Sequence, residues 1–376
     1  MIIVVNTRLL LKEKLEGIGW FTYETLSRMT RAHPEHQFIF LFDRSFDKEF
    51  IFSGNVTPVV LFPPTRHPLL WKIWFDYRVP GVLKRYNADL FLSPDGYLSL
   101  RTGVPQLPVM HDLNFVHRPA DLPRHISRYY NHRFPLFARK AARIATVSEW
   151  SKEDIVKSFG IDPAKIDVVY NACSTSFTPL NRKEKEAVRA RYSGGQPYFL
   201  FVGALHPRKN IEGLLTAFEE FKSRHGGREK LLIVGSKMFR TGRMATLAST
   251  MKFRDEVIFT GRVTQEELHR IYGAALALTF VPFFEGFGIP VVEAMGAGIP
   301  VICSHTTSLP EVAGDAAIYV DPHLPHQITW AMQKISSGEA LRNLMIEKGF
   351  RQKEKFSWDR SAALLWESVV KAAAKE

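Results

Sequence analysis

Cysteine and long apolar segments are scarce in this chain of 376 residues. Its two cysteines, Cys173 and Cys303, lie far apart and form no metal-type spacing, which favours a reducing compartment and free thiols. No apolar run reaches the ~18 residues that a membrane-spanning helix needs. The first residues, Met1–Asn6, predict a strand rather than a signal peptide, because they lack a basic region and a long apolar one. We therefore expect a cytoplasmic protein.

Acidic residues are also fewer than basic ones. The chain has 38 Asp and Glu against 50 Lys and Arg, which gives a formal net charge of +12. This excess favours an anionic partner, and a membrane surface or an anionic small substrate would fit. We expect no nucleic-acid partner, because the arginines are not interleaved with a recognisable recognition module.

Short β-rich runs alternate with amphipathic segments, which predicts parallel, doubly wound sheets in two α/β domains. The polar stretch Ser174–Gly195 separates two such series and predicts the domain boundary. We also predict one helix near Leu69–Tyr86, and capping boxes at the helices that follow Thr264 and Ser308. The predicted strands are Ile2–Asn6, Phe38–Phe42, Val56–Leu61, Leu90–Ser93, Pro108–Met110, Ile144–Val147, Asp167–Tyr170, Tyr198–Val202, Lys230–Val234, Val257–Phe259, Ala275–Val281, Pro300–Cys303 and Ala317–Val320.

A glycine loop between Glu285 and Glu293 is the most informative local feature. It follows an apolar run that predicts a buried strand, and it opens a helix. Gly288 allows a positive φ, and Pro290 suits a first helical turn. The helix start attracts an anion such as phosphate, and an acid beside it could accept hydrogen bonds from sugar hydroxyls. The alternative is that both acids only complement the helix dipole.

Three other groups follow predicted strands, where ligands bind in doubly wound sheets. Arg208 and Lys209 precede a helix and could hold a diphosphate, or could form a solvated basic loop. Gly17 and Gly19 lack the third glycine of a dinucleotide fingerprint, so they indicate either a backbone phosphate contact or a plain turn. His111 could face a ligand, or could be a structural residue beside an Asp112 turn.

The Glu285–Glu293 sequence, Glu-Gly-Phe-Gly-Ile-Pro-Val-Val-Glu, resembles the signature of the family 4 glycosyltransferases, which are retaining enzymes of the GT-B fold. The resemblance covers nearly the whole chain in the expected order. It implies an acceptor-binding Rossmann-like domain over 1–176, a donor-binding one over 177–356 across a cleft, and a helix over 357–376 that returns to the first domain. Other matching stretches are Gly17–Gly19, His111–Leu113, Val147–Ser151, Val168–Asn171, Val202–Asn210 and Leu309–Pro322.

The resemblance also implies roles for single residues. Glu285 would hold the donor hexose, Lys209 would stabilise the leaving diphosphate, and His111 would lie next to the anomeric carbon. Because the cations would neutralise the phosphates, both acids would be free to contact hydroxyls, with Glu293 on the ribose. Many members carry an arginine where this chain has Ala204, and Arg208 would compensate. The donor-binding set is Gly17, Gly19, Arg208, Lys209, Phe287, Gly288, Ile289 and Glu293.

The reaction implied is the retaining transfer of a hexosyl group, mannosyl or similar, from a nucleoside-diphosphate sugar to a saccharide or lipid-linked saccharide. Polysaccharide or cell-envelope glycan synthesis would be the setting. The chain contains no Asp-x-Asp, so we expect no metal and no cofactor besides the GDP- or UDP-sugar substrate. The alternatives are a GT-B-fold sugar-nucleotide epimerase and a non-catalytic nucleotide-sugar binding protein.

Two segments of the first domain combine aromatic and basic residues: 69–78, which contains Trp71 and Trp74, and 124–143, which contains Arg133. They predict peripheral contact with an anionic membrane or with a lipid-linked acceptor. The contact would be on the inner face of the membrane. The alternative is that the aromatic residues pack in the core and the arginines form a solvated face.

Overall fold

The computed structural model describes residues 1–65, 67–236 and 242–374. These residues form two compact units. The N-terminal unit contains Met1–Asn171 and the C-terminal segment from Ser357, and the C-terminal unit contains Ala172–Phe356. The first boundary thus lies a few residues before the position expected from the sequence.

In the described part of the N-terminal unit, seven parallel strands form a sheet in the order β3-β2-β1-β4-β5-β6-β7. Since helices cover both faces of such sheets, these strands are nearly continuous apolar runs. The strands are β1 Ile2–Asn6, β2 Gln37–Phe42, β3 Val56–Val60, β4 Leu90–Ser93, β5 Gln106–Met110, β6 Ile144–Thr146 and β7 Ile166–Val168. The helices are α1 Gly17–Ala32, α2 Pro68–Ile73, α3 Val79–Arg85, α4 Asn114–His117, α5 Arg124–Lys140, α6 Glu149–Phe159 and, at the C-terminus, α15 Trp358–Ala373.

The described part of the C-terminal unit has a six-stranded parallel sheet in the order β10-β9-β8-β11-β12-β13. Its strands are β8 Tyr198–Val202, β9 Lys230–Val234, β10 Val257–Gly261, β11 Ala277–Phe280, β12 Val301–Ser304 and β13 Ala317–Val320. Its helices are α7 Arg182–Ser193, α8 Ile211–His225, α9 Gly242–Thr250, α10 Gln265–Ala274, α11 Ile289–Gly296, α12 Leu309–Ala313, α13 Pro325–Ser337 and α14 Glu339–Lys353.

The last helix packs on the N-terminal unit, as the family resemblance implied. The rings of Trp358 and Phe21 lie 6.3 Å apart, and Arg28 of α1 pairs with Asp359 at 2.5 Å. Ser361 Oγ donates to the carbonyl of Tyr170 at 2.5 Å. The N-terminal unit is therefore built from both ends of the chain.

The segment Leu69–Tyr86 is helical as predicted, and a π-turn at Trp74–Arg78 joins α2 to α3. Another segment differs from its prediction. The polar stretch 174–195 is not a linker throughout: α7 occupies most of it, and a capping box of Asn181 and Glu184 begins that helix. The charged composition of α7 fits a helix with one face in solvent.

Candidate active site

The switch point of the C-terminal sheet holds the candidate site. β8 and β11 are neighbours there, and the strand order reverses between them. Arg208 and Lys209 follow β8, whereas Glu285 follows β11. The N–H of Phe283 donates to the carbonyl of Arg208 at 2.9 Å, which joins the two loops. This edge of a doubly wound sheet is where ligands bind.

Arg208, Lys209 and Glu285 form one ion-paired cluster. Arg208 Nη1 lies 2.9 Å from Glu285 Oε2 and donates to the carbonyl of Phe284 at 3.1 Å. Lys209 Nζ pairs with the same carboxylate oxygen and lies 4.8 Å from the centroid of the Phe280 ring. Among the described residues, none donates a hydrogen bond to Glu285 Oε1. That oxygen can therefore accept from a ligand hydroxyl.

Charge decides the protonation of Glu285. Burial alone would raise its pKa, but the charges of Lys209 and Arg208, with their hydrogen bonds, hold the pKa below its ordinary value. Glu285 is therefore ionised at neutral pH. Lys209 is only 7% exposed, so the solvated basic loop considered for these cations is wrong.

Asn210 positions this cluster, a role that we did not predict. Its backbone is left-handed, with a φ of 57°. Its Nδ2 donates to the carbonyls of Val281, at 3.1 Å, and Pro322, at 2.7 Å. Its Oδ1 accepts from the N–H of Gly213 at 3.2 Å and so caps α8. The only local signal was an Asn, a favoured cap residue, directly before an apolar helix.

The conformation of the glycine loop depends on Gly288 and on Ser308. Gly288 has a φ of 103°, and a Cβ there would lie 2.5 Å from Leu309 Cδ2, so only glycine fits. The hydroxyl of Ser308 donates to the carbonyls of Glu285, at 3.0 Å, and Phe287, at 3.1 Å. Its side chain does not cap α12, so the predicted capping box with Glu311 is wrong. Pro290 lies in the first turn of α11, as predicted.

Glu293 lies inside α11 and in different surroundings. The hydroxyl of Tyr272 donates to its Oε2 at 2.7 Å. Burial raises the pKa of Glu293 to about 7, although this hydrogen bond acts to lower it. The first turn of α11 contains no acidic residue, so Glu293 lies too far inside the helix to complement its dipole. Glu293 can change its charge near neutral pH.

His111 follows β5 in the N-terminal unit. Its Nε2 lies 2.8 Å from the carbonyl of Pro94, which can only accept, so Nε2 carries the proton. Burial lowers the pKa of His111, so the ring is neutral and Nδ1 has a free lone pair. Asp112 accepts from the N–H of Asn114 at 3.0 Å and forms the expected turn. His111 is thus held structurally through one nitrogen, and its other nitrogen can accept a hydrogen bond.

An ion pair after β1 and β4, which we did not predict, supports the turn that holds His111. Arg8 Nε lies 2.5 Å from Asp95 Oδ2, and Arg8 is only 8% exposed. Asn6 Nδ2 donates to Asp95 Oδ1 at 2.7 Å. The guanidinium lies 4.4 Å from the centroid of the Tyr97 ring. The pair fixes residues 93–97, which include the Pro94 carbonyl.

Gly17 and Gly19 lie in the first turn of α1 rather than in a turn ahead of it. A Cβ at Gly19 would lie 3.1 Å from the carbonyl oxygen of Leu9, which leaves little space for a side chain. N–H groups in a first helical turn have no partner within the helix. These two glycines therefore place backbone donors at the start of α1.

The basic aromatic segments are mostly structural. Trp71 and Trp74 are buried, which confirms the core alternative for these two residues. Arg133 pairs with the buried Asp76, and Arg143 pairs with Asp167 at 2.7 Å. The cations at the start of α5 have no such partner among the described residues.

Within residues 1–65, 67–236 and 242–374, no three His, Cys, Asp or Glu side chains are grouped as metal ligands would be. In the same ranges, every helix is too short or too polar to span a membrane.

Known proteins resemble both units of the chain. Residues 15–177 match Glycosyltransferase Family 4, and residues 182–352 match Glycosyl transferases group 1. The chain is 28% identical over 361 residues to O-antigen chain mannosyltransferase B of Escherichia coli, covering 93% of this chain and 94% of that one. It is 30% identical over 258 residues to O-antigen chain mannosyltransferase RfbU of Salmonella typhimurium, covering 68% and 67%.

A solved structure gives the fold. The structure of HepE from Anabaena, in complex with UDP and glucose, has a TM-score of 0.75 to this chain. It covers 98% of this chain and 99% of that one at 13% identity. Such low identity shows the fold alone, which is GT-B. With both sequence matches, it follows that the chain belongs to the group 1 glycosyltransferases of family 4.

Proposed function

We propose that this glycosyltransferase is retaining and metal-independent, and that it transfers a mannosyl or similar hexosyl group from a nucleoside-diphosphate sugar. The acceptor would be a saccharide or lipid-linked saccharide in polysaccharide or cell-envelope glycan synthesis. The O-antigen mannosyltransferases among its relatives support this substrate class, and the UDP in the HepE complex supports a diphosphate donor.

The cluster around Glu285 is the observation that carries the proposal. Lys209 and Arg208 are held at a strand end by one carboxylate oxygen, so they are in place before a ligand binds. A diphosphate would attract both cations through charge-assisted hydrogen bonds. The other oxygen of Glu285 would then accept from a hydroxyl of the transferred sugar. The N–H groups at Phe287, Gly288 and Ile289 would contact the sugar or the phosphates.

The chemical step would occur on one face of the sugar. The acceptor oxygen forms a bond to the anomeric carbon while the bond from that carbon to the phosphate oxygen breaks. The leaving phosphate oxygen takes the acceptor proton. Lys209 and the start of α11 would stabilise the charge that develops on the diphosphate, so the protein contributes position and electrostatics. His111 Nδ1 would accept a hydrogen bond from a sugar hydroxyl.

Glu293 would bind the ribose. A hydroxyl donates better to a carboxylate than to a carboxylic acid, so nucleotide binding should favour ionised Glu293. Because the pKa of Glu293 is raised to about 7, this predicts nucleotide affinity that increases as pH rises from 6 to 8. The remaining donor contacts would come from backbone groups at Gly17 and Gly19.

A thermal-shift panel of UDP, GDP, ADP and their sugars, in EDTA, tests the proposal. One diphosphate nucleotide should raise Tm, because a ligand at 100 times its Kd stabilises by about 2.7 kcal/mol. The Glu293→Gln variant should lose the pH dependence of this shift. No shift with any nucleotide would contradict the proposal. A new nucleotide sugar formed without an acceptor would indicate an epimerase instead.

A further inference from the structure

A basic groove lies between α2 and α5, within the N-terminal unit. Its volume is about 690 Å³. Lys72 of α2 and Arg124, His125, Arg128 and His132 of α5 contribute to its lining, and none of its described lining residues is acidic. The groove therefore concentrates positive charge in a concave surface.

The charges in this groove are not neutralised by the protein. Among the described residues, no carboxylate forms an ion pair with Lys72, Arg124 or Arg128, and all three side chains are exposed. Arg133, on the same helix, pairs instead with buried Asp76. The helix thus divides into an arginine that holds the core and arginines that face the groove.

The arrangement is unfavourable for the helices unless an anion binds. α5 begins at Arg124, and its first turn has no acidic residue, so cations oppose the positive end of its dipole. Arg124 and Arg128 are also four residues apart on one helix face, where like charges repel. The rings of His67, the cap of α2, and His125 of α5 are stacked at 6.0 Å, so the two helices meet beside these cations.

The floor of the groove has unused hydrogen-bonding capacity. In the described part of the chain, Tyr129 Oη and Arg133 Nε are both buried at this floor, and Arg133 is the hydrogen-bonding neighbour of the Tyr129 hydroxyl. Burial raises the pKa of Tyr129 to about 12, although Arg133 acts to lower it, so the hydroxyl keeps its proton. The Tyr129 hydroxyl can therefore donate a hydrogen bond to an anion that enters the groove.

We propose that this groove binds the phosphate or diphosphate group of a ligand. Several cations and the start of α5 around one cavity suit a group with several anionic oxygens. Such a group could belong to an acidic phospholipid or to a soluble sugar phosphate. On α2, Leu69 is 61% exposed one turn before Lys72, and it would give the groove an apolar rim.

Binding of inorganic pyrophosphate to the full chain, measured by titration calorimetry, tests the groove without any turnover. The double variant Arg124→Gln, Arg128→Gln should weaken binding at least tenfold. The matched control Arg139→Gln, Lys140→Gln removes two exposed charges from the other end of α5 and should bind as the parent chain does. All measurements use a Lys209→Ala background, so that the candidate donor site does not contribute.

Vesicles distinguish the two sources of phosphate. With a phospholipid as the ligand, phosphatidylglycerol vesicles should retain the parent chain and the control variant, whereas phosphatidylcholine vesicles should not. The groove variant should then be released, and so should the parent chain when pyrophosphate is added. With a soluble ligand, only pyrophosphate should bind. Equal behaviour of groove and control variants in both assays, or no binding in either, would overturn the proposal. Neither result depends on the glycosyltransferase activity.

Discussion

Glu285 lies before α11 and Glu293 lies inside it, and both carboxyl groups lose most of their contact with water. The difference between them is the neighbouring charge. Two cations reach Glu285 and hold its pKa down, whereas Glu293 has a neutral tyrosine hydroxyl and a pKa of about 7. Burial acts to raise the pKa of both carboxyl groups. The nearby charges therefore determine which acid stays ionised.

The different surroundings give the two acids different roles, one in the loop before α11 and one inside this helix. Glu285 is a fixed negative charge that keeps Lys209 and Arg208 at the strand end. Glu293 is a group whose charge a ligand can change. A site with two fixed charges would repel the diphosphate more strongly, and a site with two neutral acids would leave Lys209 buried without a counter-charge.

Removing the charge at Lys209 should have the largest effect. The Lys209→Ala variant should lower turnover about 10³-fold, because the leaving diphosphate loses a preorganised cation. It should also make Glu285 more like Glu293, with a higher pKa. Steady-state kinetics on the donor would measure the loss. Lys252→Ala, which removes an exposed lysine of the same unit, is the control. Unchanged turnover in Lys209→Ala would show that this cation does not stabilise the leaving diphosphate.

The pH dependence of stability should separate the two acids next. The pKa of Glu293 is raised from 4.5 to about 7, so the folded state binds more protons and loses stability as pH rises through that window. Glu293→Gln should therefore be more stable than the parent chain at pH 8, by about 3 kcal/mol, and equal to it below pH 4.5. Glu285→Gln should instead be destabilised at pH 8, because it leaves two cations without a partner.

Urea unfolding at pH 4.5 and pH 8 would measure both variants. Parallel pH profiles for Glu293→Gln and the parent chain would show that folding does not raise the pKa of Glu293. The difference in pKa between the two acids would then be absent.

Kinetics should divide the acids in the same way. Glu285→Gln should lower kcat about 100-fold with little change in donor KM, because its free oxygen acts on the transferred sugar. Glu293→Gln should raise donor KM about tenfold and leave kcat nearly unchanged. The reason is that the ribose contact is equally strong in the bound ground state and in the transition state. Equal losses of affinity alone from both variants would show that these roles are wrongly assigned.

The smallest expected effect concerns the loop backbone. Ser308→Ala should cost about 1 kcal/mol of stability and also lower turnover, because it releases the carbonyls of Glu285 and Phe287. Thr264→Ala removes the cap of α10 and should cost a similar stability with no loss of turnover. If both variants kept full activity, Ser308 would not be positioning Glu285.

Local patterns predicted what depends on neighbours in the sequence. β1, β4, β8, β9 and β13 have the predicted bounds, and the capping box at Thr264 is confirmed, because apolar runs and caps are local signals. Ser308 also fits a capping pattern, but a loop more than twenty residues earlier takes its hydroxyl.

The motifs predicted which residues belong to the candidate site, but not the contacts between them. Its motifs placed Lys209 and Glu285 at strand ends, but their pairing depends on strands β8 and β11 lying side by side. The hydrogen bond from Tyr272 to Glu293 and the Arg8–Asp95 pair join segments that are distant in sequence. Neither has a periodicity or spacing that a linear pattern could show.

The C-terminal helix on the N-terminal unit has a consequence for synthesis. On the ribosome, residues 1–171 are made before the C-terminal unit, but α15, whose Trp358 lies against Phe21, is made after it. The N-terminal unit must therefore wait for the whole C-terminal unit to be made before it can bury the outer face of α1. Until then the exposed apolar face can aggregate, so protection by chaperones would matter more for the N-terminal unit than for the C-terminal unit.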